Sequence, residues 1–135
     1  MAGDYSLDGL AVPASLEELH ELLERVGTEH PQVAAEDLMM LETALVEVAA
    51  NVIDHGRPAG SVLWTVRLAV RDDRLECLLS DTAQPADVDL GAASLPEDPE
   101  SEHGRGLVLA RAALDRLEHV RVAGGNVWRL VRLRR

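Results

Sequence analysis

Residues 45–56 read LVEVAANVIDHG, an apolar run interrupted by one acid, Glu47, and one amide, Asn51. On a helix this spacing of four puts both side chains on one face, a turn apart. Working outward at about 100° per residue, Leu38, Leu41, Leu45, Val48 and Val52 form an apolar stripe that Val46, Ala49 and Ile53 widen. Thr43, Glu47, Asn51 and Asp54 gather into a narrow polar strip, with Glu42 outside it. The strip reads either as the wet side of an amphipathic helix or as a carboxylate and an amide oxygen facing one cavity. Asparagine is a poor helix former, and Lys, Gln or Arg would serve solubility better, which favours the cavity. Hard oxygen ligands of this kind suit Mg²⁺, which takes few protein ligands and completes its shell with phosphates and water.

The flanking sequence predicts a helix from about Pro31 or Val33 to Asp54, closed by His55-Gly56. Before it, YSLDGLAV (5–12) reads as a strand. PASLEELHELLERVG then reads as a helix with Ser15 as N-cap, Glu18 at the capping-box spacing and Gly27 as a stop. After the turn RPAG, residues 61–70 and 74–80 read as two strands joined at Asp72-Asp73, with Val62, Trp64, Val66, Leu68 and Val70 alternating toward helices. GRGLVLARAALDRLEH (104–119) reads as a helix with Leu107, Ala110, Leu114 and Leu117 on one side. HVRVA and NVWRLVRL close the chain as an antiparallel pair joined through Gly124-Gly125-Asn126. From Asp87 to Glu102 there are six acids, no base and two prolines, so residues of about 84–104 are expected to form a loop or lid. The order β-α-α-β-β-loop-α-β-β predicts one domain over 1–135, an α+β two-layer sandwich with helices on one face of a mostly antiparallel sheet.

Two further stretches could carry chemistry. In LLSDTAQP (78–85) a strand ends in Asp81, which could accept a hydrogen bond from an exocyclic amine such as that of adenine, or simply form an Asx-type turn. In HGRGLVLA (103–110) two glycines flank Arg105 before a helix. There, exposed N–H groups and the helix dipole favour phosphate, although such glycines also start ordinary helices.

The order and spacing of these stretches resemble one family. Glu-x-x-x-Asn on a helix, an Asp ending a strand about thirty residues later and Gly-Arg-Gly-Leu opening a helix look like the gyrase and histidine-kinase-type (GHKL) ATPases with the Bergerat fold. Within that superfamily the likeness is to the RsbW-like bacterial anti-sigma-factor serine/threonine kinases of partner-switching systems. It extends to the leading LAVPASLEELHELL and the terminal GGNVWRLVRL.

The resemblance implies that Glu47 is a general base and that Asn51 holds Mg²⁺ bridging the phosphates of ATP. Asp81 would read the adenine amine, with Ala83 in the turn behind it, and Gly104, Arg105, Gly106 and Leu107 would approach the phosphates. It implies a STAS-domain anti-sigma antagonist as phosphoacceptor, a sigma factor as second partner, and a homodimer. One departure stands out: the box after the acid, commonly Asp-x-Gly-x-Gly, is here Asp81-Thr82-Ala83-Gln84-Pro85. Ala83 is therefore expected to put a methyl where the backbone needs positive φ or close approach to the nucleotide.

Composition narrows the alternatives. A formal charge of −11 opposes nucleic-acid or anionic-membrane binding. The single cysteine, Cys77, sits in the apolar run LECLL and reads as a buried thiol. No run approaches the roughly 18 apolar residues of a membrane span, and no signal peptide is visible, so a cytoplasmic protein is expected. Two other functions remain open: a regulatory binding module with little phosphotransfer, which the altered Ala83 box favours, and the catalytic domain of a sensor histidine kinase.

Overall fold

The computed structural model describes the backbone of residues 3–84 and 102–135, and the side chains of all of these except 102–105. In chain order the elements are β1 (Gly3–Leu10), α1 (Ser15–Glu29), α2 (Ala35–His55), β2 (Leu63–Val70), β3 (Arg74–Asp81), α3 (Glu102–Ala113), β4 (Arg116–Val122) and β5 (Gly125–Leu133). The strands form one antiparallel sheet in the order β1-β2-β3-β5-β4.

Period-two burial decides which face the helices cover. Trp64, Val66, Leu68 and Val70 of β2, Leu75, Cys77 and Leu79 of β3, and Trp128 and Leu130 of β5 are buried against the helical layer. That layer contributes Leu19, Leu22, Leu23 and Val26 of α1 and Leu41, Leu45, Val48 and Val52 of α2. The opposite face carries exposed Leu63, Leu78, Val120 and Val122. This is the expected α+β sandwich, its core mostly Leu, Val and Ala packed around Trp64 and Trp128. Burial pushes the Cys77 thiol up to about 12, which makes it a packing residue rather than a nucleophile.

Several local expectations are corrected. Ser15 does not cap α1: the N-cap is Ala14, and the Ser15 hydroxyl donates to the Leu10 carbonyl at the end of β1. Glu17 and Glu18 in the first turn instead meet the positive end of the helix. Gly27 does not stop α1, which continues to Glu29. A β-carbon at Gly27 would lie 3.3 Å from Leu38 Cδ1, so the glycine serves the approach of α2.

α3 ends at Ala113, so Leu114 and Leu117 keep their helical spacing without being helical. Asp115 breaks the helix by tertiary bonds: its N–H donates to Val131 O, and its carboxylate accepts the Leu133 N–H at 2.7 Å. Leu117 then packs on the core from β4. The last hairpin turns at Ala123-Gly124, with Gly124 at φ 79° supplying the left-handed step, while Gly125 and Asn126 already belong to β5. The segment expected as a lid lies mostly outside the described residues.

One buried ion pair fastens the layers. Arg132 Nε donates to Asp37 Oδ1 at 3.0 Å and its Nη1 to Ala113 O at 3.1 Å, while Asp37 Oδ2 accepts the Arg135 N–H. The C-terminal strand is thereby tied to the start of α2 and the end of α3.

Candidate functional site

The apolar stripe of α2 is buried as expected, which leaves Glu47 and Asn51 partly exposed one turn apart. Helix α3 closes on this strip at Gly106, where an added β-carbon would stand 2.7 Å from Glu47 Oε2. Any larger residue would have to push the carboxylate aside, so the glycine is what leaves Glu47 its place between the two helices. Two of the singled-out stretches thus touch, through Glu47 and Gly106.

Asn51 carries an unsatisfied polar group. Its Oδ1 is buried and has no hydrogen-bond partner among the described residues. A buried carbonyl oxygen without a donor costs about 1–3 kcal/mol, so such a group calls for an explanation in function or in a missing ligand. A hard cation or its water shell is the chemistry that would satisfy it. Among the described residues no group of three or more His, Cys, Asp or Glu is gathered for a metal, so a cation here would depend on a ligand's own oxygens.

The second stretch is tightly built. Asp81 ends β3 and is only 5% exposed. Its Oδ1 accepts the Ala83 N–H and the Asn126 amide, both at 2.9 Å, and its Oδ2 accepts the Trp128 indole N–H at 3.2 Å. The bond from Ala83 makes an Asx turn, so that reading of Asp81 is realised. Of the carboxylate's acceptor positions, one on Oδ2 is left for an outside donor.

Pairing explains why these partners assemble. Gly9, Trp64, Asp81, Asn126 and Arg121 stand in register as one row across all five strands. Trp64, in that row, has a buried Nε1 without a hydrogen-bond partner among the described residues. At the β3–β5 crossing, a β-carbon on Gly125 would collide with the Asp81 carbonyl oxygen, so only glycine permits this approach.

Ala83 differs from expectation. Among the described residues no non-glycine has positive φ, and Ala83 is 5% exposed with its methyl turned to the core. That methyl lies 3.4 Å from where a β-carbon of Gly56 would stand, just past the end of α2. The turn is pinned on both sides: Thr82 N–H donates to Leu63 O at 3.0 Å and Gln84 N–H to Arg57 O at 2.9 Å. α2 is therefore a spine, with Gly106 against it at Glu47, Ala83 against its far end and Asn51 between.

For the third stretch, α3 begins at Glu102, so Gly104, Arg105 and Gly106 lie inside its first turns rather than ahead of it. The Gly104 and Arg105 side-chain positions are outside the described residues. Leu107 is 7% exposed and anchors α3 in the core.

Sequence reasoning placed none of Asn126, Trp128, Arg121 and Gly125 at the site, reading Gly125 and Asn126 only as a hairpin connection. A signal was present for one: Asn126 shares the inward phase of NVWRLVRL with Trp128 and Leu130, where an amide needs a partner. A hollow of about 460 Å³ on the open sheet face, lined by residues including Ser6, Arg67, Ala69 and Leu78, lies among strand side chains and includes none of these groups.

The comparisons agree with the fold. The chain shares its fold with "The crystal structure of the RsbU and RsbW domains of Rv1364c from Mycobacterium tuberculosis", at a TM-score of 0.71 and 18% identity. The match covers 98% of this chain and 33% of that one, so this chain spans about a third of its neighbour's length. Comparison with curated proteins gives no match. A family model described as histidine kinase-like ATPase domain matches residues 10–132. With that match over nearly all its length, the chain belongs to the histidine kinase-like ATPase domain family.

Proposed function

We propose that the protein binds Mg-ATP and transfers the γ-phosphoryl group to a serine or threonine hydroxyl of a STAS-domain anti-sigma antagonist, acting as an anti-sigma factor in a partner-switching system. The observation that carries this reading is the buried Asn51 Oδ1, without a partner among the described residues, one helical turn from Glu47. In this account Asn51 holds the cation, and Glu47 accepts the proton of the attacking hydroxyl. Asp81 Oδ2 takes the adenine amine with its remaining lone pair. Gly104, Arg105 and Gly106, followed by the buried Leu107, bring the start of α3 to the phosphates.

Bound Mg²⁺ supplies neutralisation of the phosphate charge, which a protein of net charge −11 otherwise lacks. Catalysis then rests on positioning: Gly106 leaves room for the Glu47 carboxylate, and the helical register sets Asn51 beside it. The family's name and the RsbW-containing neighbour support the phosphotransfer reading, as do the retained acid and amide. A second copy of the chain and a sigma factor complete the proposed set of partners.

A second reading has its own support. Three of the Asp81 acceptor positions are already filled by Ala83, Asn126 and Trp128, which suits a protein that keeps the fold and binds a partner with little nucleotide turnover. Radiolabelled γ-phosphate separates the two readings. Transfer to a STAS-domain protein that disappears in Glu47→Ala, while Mg-ATP still binds, supports the kinase. Mg-ATP binding by wild type with no transfer to any such protein supports the binding module.

A further inference from the structure

We infer that Arg121 is the positioning residue that holds the Asp81–Gln84 turn in its ligand-reading shape and so sets preference for the base, a role otherwise left to glycines in such a turn. The inference rests on the nucleotide reading above, but its geometry belongs to this chain. Arg121 Nη1 donates to Ala83 O at 2.9 Å and to Gly125 O at 2.8 Å, bridging the turn to the last hairpin. Asn126 Nδ2 reaches the same Ala83 carbonyl at 3.4 Å and Asp81 Oδ1 at 2.9 Å, with Asn126 Oδ1 meeting His119 Nε2 at 2.9 Å.

The consequence follows from which atoms are fixed. With the Ala83 carbonyl drawn toward β4, its N–H points back at Asp81 Oδ1 and its methyl enters the core. Asp81 is left with one open position on Oδ2, where an amine can donate. Adenine offers an amine donor at the edge where guanine offers a carbonyl acceptor. A correctly held carboxylate therefore favours adenine and repels guanine, and a turn free to rotate loses that difference. Arg121 is suited to the task because one guanidinium nitrogen, Nη1, carries two donors and serves both carbonyls at once. Its charge-assisted bonds fall on one carbonyl of the turn, Ala83 O, and one of β5, Gly125 O, which ties the turn to the sheet.

The test uses the full chain and three variants: Arg121→Met, Arg121→Lys and Arg121→Ala. Calorimetric titration with Mg-ATP and with Mg-GTP gives the affinity ratio, thermal unfolding reports integrity, and amide hydrogen exchange at Ala83 and Gln84 reports the turn without nucleotide. The expected result is an ATP-to-GTP ratio that falls about tenfold in Arg121→Met and in Arg121→Ala, with faster exchange at Ala83 and an unfolding midpoint near wild type. Arg121→Lys should recover part of the ratio. If wild type prefers ATP and Arg121→Met keeps both the ratio and the exchange rate, the inference is overturned while the nucleotide reading stands. If wild type binds neither nucleotide, the nucleotide reading falls and with it the base-preference role, and the exchange comparison alone then decides whether Arg121 holds the turn.

Discussion

The Gly106–Glu47 contact makes an unusual demand on one hydrogen atom. Replacing glycine by alanine inside a helix ordinarily stabilises by about 0.5–1 kcal/mol. Here the new methyl would meet only the flexible end of Glu47 at 2.7 Å, so the fold should tolerate it. Gly106→Ala is therefore expected to unfold at an unchanged or slightly higher denaturant concentration while phosphotransfer drops about a hundredfold, because the displaced carboxylate no longer meets the hydroxyl. Denaturant titration and single-turnover assays on the same preparation check both halves. Glu47→Ala should keep Mg-ATP affinity and lose about 10²–10⁴ in transfer rate. Equal losses of affinity and rate in that variant would assign Glu47 to ligand binding instead.

At the scale of elements, two contacts decide how the helices stay on the sheet. Asp37 is 1% exposed and pairs with Arg132 across the α2–β5 contact. Removing one partner of a buried pair strands the other charge, so Asp37→Ala should cost about 3–5 kcal/mol in urea unfolding. Replacing both residues by apolar side chains should cost less than that single change.

The α1–α2 contact carries an exposed histidine. His20 Nδ1 meets Glu42 at 2.7 Å and Nε2 meets Glu24 at 3.1 Å. The hydrogen bond to Glu42, then the charges of Glu42 and Glu24, raise the His20 pKa above 6.5. A raised folded-state pKa means the stabilisation is fully present below 6.5 and fades as pH rises through the higher folded value. His20→Gln should remove that pH dependence from the unfolding midpoint across this window, and an identical profile in the variant would assign it elsewhere. These contacts also show why element boundaries misled. Leu107, Ala110, Leu114 and Leu117 share a helical period, yet Asp115 ends the helix through Leu133, 18 residues away. The Ser15-x-x-Glu18 spacing likewise matches a capping box, but the Ser15 hydroxyl is taken by Leu10. Both outcomes depend on tertiary partners that local spacing does not encode.

For the whole molecule, the order of elements was legible because burial follows periodicity. Val62 to Val70 alternate, Leu38 to Val52 stripe, and each pattern permits one facing layer. Glu47 and Asn51 were legible for the same reason, as polar residues out of phase with a long apolar stripe. The surroundings of Asp81 were not, since Asn126, Trp128 and Arg121 reach it only through the β3–β5–β4 pairing, with its non-sequential crossover. The molecule therefore presents a sheet covered on one side, a spine helix α2, and a row of residues across five strands with one partly open carboxylate, Asp81, at its middle. Its described residues include no helix long and apolar enough to cross a membrane. The central claim is that this framework holds Mg-ATP through Asn51. The measurement that tests it most directly is calorimetric titration of wild type and Asn51→Ala with Mg-ATP, alongside their unfolding curves. The account predicts saturable binding by wild type and none by Asn51→Ala, with the variant still folded. Equal binding by both proteins, or none by wild type, would contradict it.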